Sequence, residues 1–146
     1  MLVPHYTFVV ILTRVQLDYS HPEVQEDVKN WGVWAAKNLK LKGFRLDAIK
    51  HYSETFLVSF VKHLDETLGE GWFFVGEFWK SNLEDLTAYL SKMEHRFCLF
   101  DAPLVYKFSS ISQGDKADLR SVFDGTLVQA EPYNAVVSDS QHYAQG

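Results

Sequence analysis

Two short apolar runs, each ending in a carboxylate, constrain this chain more than any other feature. The first is Gly43-Phe44-Arg45-Leu46-Asp47-Ala48-Ile49-Lys50-His51; the second is Trp72-Phe73-Phe74-Val75-Gly76-Glu77-Phe78-Trp79. In the first run the apolar residues are interrupted by Arg45 and Asp47, which are not the innocuous polar residues of a surface strand. Two positions apart on a strand, their side chains point to one face. They can pair there, and a neighbouring arginine keeps an aspartate ionised at neutral pH. An ionised, oriented carboxylate at the end of a buried strand is suited to act as a nucleophile or a metal ligand. The alternative is a structural Arg–Asp pair at a strand end.

Asp47 and Glu77 are thirty positions apart, and a strand-to-strand βαβ repeat takes roughly 30 residues. If the two strands are parallel neighbours, both carboxylates emerge at the C-terminal edge of the sheet, where the active sites of α/β barrels lie. Two carboxylates facing one cleft are also the minimal equipment of a glycosidase. For Glu77 the alternative is a salt bridge to a lysine such as Lys80.

The rest of the chain fits a strand-and-helix alternation. Ser20-His21-Pro22-Glu23 reads as a helix start with Ser20 as cap. Val24, Val28, Trp31, Ala35 and Leu39 then recur at helical spacing. A second helix is expected over about 53–68 and ends at Gly69 and Gly71. A third begins at a capping box, Ser81-Asn82-Leu83-Glu84, with Leu83, Leu86, Tyr89, Leu90 and Met93 inward. Strands are expected at 43–47, 73–77 and 97–100. A further helix is expected from a cap at Asp115 through Leu119, Val122 and Phe123 to Gly125, and Leu127-Val128 is ambiguous. Phe8-Val9-Val10-Ile11-Leu12 is a strand by its β-branched content. The alternation predicts a parallel sheet wrapped by helices, and no long linker or repeat divides it, so one domain is expected.

Composition narrows the class. The chain has 146 residues and 47% apolar content, enough for a core but short of the about 250 residues of a whole (β/α)8 barrel. The net charge is −5 with no Lys/Arg cluster, which excludes nucleic acid as an expected partner. Cys98 is the single cysteine, so no internal disulfide forms, which leans towards a reducing compartment. Phe8–Leu12 is too short to span a bilayer. It also lacks the basic flank and the small-residue cleavage site of a signal peptide. No membrane association and a cytoplasmic location are therefore expected.

These residues carry a resemblance. Gly43–His51 resembles the strand-four stretch of the α-amylase family of glycoside hydrolases, and Phe74–Trp79 resembles its strand-five stretch. Asp18-Tyr19-Ser20-His21-Pro22-Glu23-Val24, Asn30-Trp31-Gly32, Leu99-Phe100-Asp101-Ala102-Pro103-Leu104 and Phe123-Asp124-Gly125-Thr126-Leu127-Val128 resemble the liquefying-type enzymes, particularly the fungal relatives of the bacterial ones. The resemblance covers residues 17–136. Segments 1–16 and 137–146 do not match; the first is read as foreign to the fold, and the alternative is a genuine different N-terminus.

The resemblance implies a partial (β/α)8 TIM barrel and a retaining hydrolase of α-1,4-glucans such as starch or glycogen. It implies Asp47 as nucleophile, Glu77 as general acid/base, and Arg45, Lys50, His51 and Trp79 as substrate-binding residues, Arg45 also holding Asp47 ionised. The aromatic setting of Glu77 would raise its pKa. Tyr52 is a further residue that could stack on a sugar ring. The family binds calcium through acids that include the position of Asp18, and the backbone at His51 touches that ion. Here Gln16 stands where a second acid is expected, and an amide is a poorer calcium ligand than a carboxylate, so no tight calcium site is expected. The family's third acid belongs to an Asn-His-Asp stretch after Asn134-Ala135-Val136. His142 falls at the histidine position, read as coincidence, but Tyr143 stands in place of the aspartate. The 146-residue chain is therefore expected to be an incomplete catalytic domain, inactive alone. The alternatives are a non-catalytic relative that at most binds glucan, and an unrelated α/β binding domain with structural carboxylates.

Overall fold

A computed structural model describes residues 17–69, 71–114 and 118–138. The expected strand at Phe8–Leu12, the cap at Asp115, Gln16, His142 and Tyr143 lie outside them. The chain divides into two compact units, Met1–Gly76 and Glu77–Gly146. The boundary falls at a strand end, where composition gives no linker signal.

In the first unit, helix α1 (Pro22–Leu39) leads to strand β1 (Gly43–Leu46), helix α2 (Glu54–Leu68) and strand β2 (Phe73–Gly76). The strands are parallel, with Gly43 opposite Phe73 and Leu46 opposite Gly76. A parallel pair needs a crossover connection, and α2 supplies it. The Ser53 hydroxyl caps α2 by accepting the Phe56 N–H at 3.3 Å, and Gly69 closes it at φ 87° and ψ 166°, a conformation that almost only glycine adopts. The capping box expected at Ser20 is not formed. His21 is the N-cap of α1 without a side-chain bond, and the Ser20 N–H, which Glu23 would accept in a capping box, donates to Asp18. Phe44, Phe60 and Phe74 are fully buried. Phe44 stacks on Phe74 with centroids 6.3 Å apart, and each such ring contributes about 1.5–3 kcal/mol by leaving water. Gly32 lets α1 approach α2: a Cβ there would lie 2.8 Å from the Phe60 ring.

The second unit contains helix α3 (Leu83–Lys92), strand β3 (Cys98–Phe100), helix α4 (Ala102–Ser112), the short helix α5 (Leu127–Ala130) and strand β4 (Ala135–Val136). β3 and β4 are parallel, with Leu99 opposite Ala135. The α3 cap is Asn82, which accepts the Glu84 N–H at 3.0 Å, not Ser81. Four of the five inward positions expected on α3, Leu86, Tyr89, Leu90 and Met93, are buried, whereas Leu83 in its first turn is only half-buried. The expected helix through Leu119 and Val122 is a single 3₁₀ turn at Leu119–Ser121. The helix that follows β3 begins earlier, directly after Asp101. Asp101 Oδ1 accepts the Leu104 N–H at 3.1 Å, and Pro103 suits its first turn. Asn134 donates from Nδ2 to the carbonyls of His95 and Phe97, which ties the approach to β4 against β3.

Candidate active site

β1 buries Phe44 and Leu46 while Arg45 is only half-buried. The strand stops at Leu46, and Asp47 is the first residue past it. Arg45 Nη2 lies 3.4 Å from Asp47 Oδ1, with both side chains partly shielded from water. The expected same-face pair is therefore present. Ala48 follows in the left-handed region at φ 47° and ψ 40°, a conformation that a residue with a Cβ rarely adopts and that clusters at functional sites. This turn sends the chain into a 3₁₀ helix, Ile49–His51, anchored by the fully buried Ile49. Lys50 and His51 are exposed, and the His51 N–H donates to the Ala48 carbonyl at 3.0 Å.

Asp47 lines a cavity of about 250 Å³ in this unit. Its other walls are almost wholly apolar or aromatic and include Tyr19, Trp31, Tyr52, Phe56 and Phe60. Tyr19 stacks on Phe56 at 4.1 Å and meets Tyr52 edge-on at 6.0 Å. Burial, and secondarily Tyr52, push the Tyr19 hydroxyl above the usual phenol range. Sequence reasoning gave Tyr19 no role, since nothing in its spacing links it to Asp47.

Glu77 is the first residue past β2 and is 9% exposed. The β1–β2 register ends at Leu46 opposite Gly76, so each carboxylate follows the last paired residue of its strand. The two aromatic residues that follow Glu77 each meet another ring in the second unit. Phe78 stacks on Tyr89 at 4.3 Å, and Trp79 meets Tyr106 of α4 edge-on at 6.4 Å. Tyr106 was not singled out from the sequence, because no periodicity connects positions 79 and 106.

Asp18 is exposed. Its Oδ1 accepts the Ser20 N–H at 2.9 Å, its Oδ2 lies 3.4 Å from His21 Nε2, and the Ser20 bonds hold its carboxyl below the usual range. Among the described residues, no three His, Cys, Asp or Glu side chains group as a metal site would require. Among them also, no helix is long and apolar enough to cross a membrane.

No protein-family model matches the chain. Curated relatives do. The chain is 40% identical over 135 residues to an α-amylase of Bacillus licheniformis, covering 92% of this chain and 26% of that protein. It is 38% identical over 135 residues to a glucan 1,4-α-maltohexaosidase of Bacillus sp. (strain 707), with the same coverage of 92% and 26%. It is 35% identical over 130 residues to the cytoplasmic α-amylase of Escherichia coli (strain K12), covering 88% and 26%. The chain thus spans about a quarter of the length of each of these relatives. The crystal structure of an Anoxybacillus α-amylase superimposes with a TM-score of 0.70 at 20% identity, over 84% of this chain and 27% of that one. The fold is that of a partial (β/α)8 barrel, and over nine-tenths of its length the chain belongs to the α-amylase family of glycoside hydrolases.

Proposed function

We propose that this chain carries the two catalytic carboxylates of a retaining hydrolase acting on α-1,4-glucans. The observation that supports this reading best is the β1–β2 register. Asp47 and Glu77 each follow the last paired residue of parallel neighbours, the edge at which barrel enzymes assemble their sites. In this reading the Asp47 carboxylate attacks the anomeric carbon while protonated Glu77 gives its proton to the departing glycosidic oxygen. A covalent glycosyl-enzyme results. Glu77, now ionised, then takes a proton from water, whose oxygen displaces Asp47 and regenerates both groups. Arg45, beside Asp47, orients that carboxylate and favours its charge. Trp79, Lys50 and His51 contact the sugar. The single cysteine and the E. coli relative named as cytoplasmic favour a cytoplasmic location.

The experiment is a segment exchange. Residues 17–136 of this chain replace the matching stretch of the B. licheniformis α-amylase, and reducing-sugar release from soluble starch is measured. The chimera should hydrolyse starch. Glu77→Gln should lose about 10²–10⁴-fold, the usual worth of a positioned acid/base, and Asp47→Asn at least as much. An active chimera indifferent to both substitutions would rule out the assignment. The short chain spans about a quarter of its relatives, which favours a second reading for it alone: it binds glucan without turnover. Starch hydrolysis by the purified 146-residue chain that vanishes in Asp47→Asn would exclude that second reading.

A further inference from the structure

Two residues after Glu77 the second unit builds an aromatic corner that the sequence does not announce. Phe78 is anchored by its 4.3 Å stack on Tyr89, a buried residue of α3. Trp79, half-buried, meets the Tyr106 ring at 6.4 Å with an interplanar angle of 63°. Tyr106 is 45% exposed, yet its backbone is firmly placed. It follows the buried Leu104 and Val105 on α4, whose N-terminus is capped by the buried Asp101. A ring on a fixed helix thus presses edge-on against a ring two residues from an acidic group.

We infer that Tyr106 is a positioning residue: it sets the plane of the Trp79 indole against which a pyranose ring of a bound glucan stacks. This rests on the glucan reading above. A pyranose shows an apolar C–H face and a polar rim. The electron-rich face of an indole attracts the first. The edge of Tyr106 restricts the rotamers of Trp79, so less side-chain freedom is lost on binding, the general advantage of preorganisation.

The test uses the full 146-residue chain with maltohexaose as probe. Calorimetry gives affinity, and two-dimensional ¹H–¹⁵N spectra follow the indole N–H of Trp79, assigned among the four tryptophans by Trp79→Phe. Maltohexaose should move that resonance. Tyr106→Ala should weaken binding about threefold to tenfold, the range for one aromatic contact, and should shift or broaden the Trp79 resonance before any ligand is added. Tyr106→Phe keeps the ring and should behave as the parent. If Tyr106→Ala loses the native circular dichroism spectrum, Tyr106→Leu is read in its place. Unchanged affinity in the ringless variant, or weakened affinity with an unmoved Trp79 resonance, would overturn the inference while leaving the glucan reading intact. Absence of maltohexaose binding by the parent chain would overturn both.

Discussion

The Val128 N–H donates to Asp101 Oδ2 at 2.8 Å, while Oδ1 of the same carboxylate accepts the Leu104 N–H. One side chain, 1% exposed, therefore satisfies backbone donors at the starts of α4 and α5, which are separated by more than twenty residues. Removing a buried acceptor strands its donors at about 1–3 kcal/mol each, whereas an exposed cap is worth about 1 kcal/mol. Asp101→Ala should therefore cost about 2 kcal/mol or more in urea unfolding. Ser53→Ala, which removes a single α2 cap bond, should cost about half that. Equal losses would mean that the Val128 bond contributes nothing.

Arg45 and Asp47 give a second quantitative test. Their charged atoms are 3.4 Å apart with side chains 28% and 18% exposed, so screening by solvent is incomplete. A double-mutant cycle with Arg45→Met and Asp47→Asn should return a coupling of about 1 kcal/mol, the upper end for pairs open to water. The coupling should shrink as salt is raised. A coupling near zero at low salt would assign the geometry to packing alone.

The glycines of the first unit separate two kinds of cost. At Gly43 a Cβ would collide with the backbone carbonyl oxygen of Phe73, which is paired across the strands and cannot yield. At Gly69 nothing lies within 4 Å, but φ is +87°. Gly43→Ala should therefore cost about 3 kcal/mol or more, as overpacking does, and disturb the β1–β2 amides in exchange measurements. Gly69→Ala should cost about 1–2 kcal/mol, since φ 87° with ψ 166° is a backbone conformation that almost only glycine adopts. The reverse order would contradict the register.

What the sequence made legible followed the period of its apolar residues. α1, α2 and α3 appear where the helical stripes place them, because one face of each packs on a buried layer. β1 and β2 end at the carboxylates, as the interrupted apolar runs indicate. The misses have local physical origins. Asn82 takes the Glu84 N–H that Ser81 would cap, and Asp18 takes the Ser20 N–H that Glu23 would accept in a capping box. The start of α4 is marked locally by Asp101 and Pro103, and only the Asp101 bond to Val128 depends on a distant part of the chain. Of the candidate site, the Arg45–Asp47 pair was readable because the two residues are two positions apart where one strand ends. The approaches of Tyr19 to Phe56 and of Tyr106 to Trp79 were not, since each is created by packing between separate elements.

Cys98 supplies a pH-dependent prediction. Its side chain is about half-buried and its Sγ donates weakly to the Tyr133 carbonyl at 3.6 Å. Burial disfavours the thiolate and pushes the thiol pKa above its ordinary 9.0. The sign of the linkage follows. Below about pH 9 both folded and unfolded chains keep the proton, so the contribution to stability is constant there. As pH rises further the unfolded chain ionises first, it binds fewer protons than the folded one, and stability falls. Iodoacetamide alkylation followed against pH should therefore show a midpoint above 9.0 in the native protein and a lower one in urea. Cys98→Ala should flatten this part of the alkaline loss of stability. A native midpoint at or below that of the unfolded chain would mean that the thiol faces a positive or solvated environment, and that burial beside β4 does not control it.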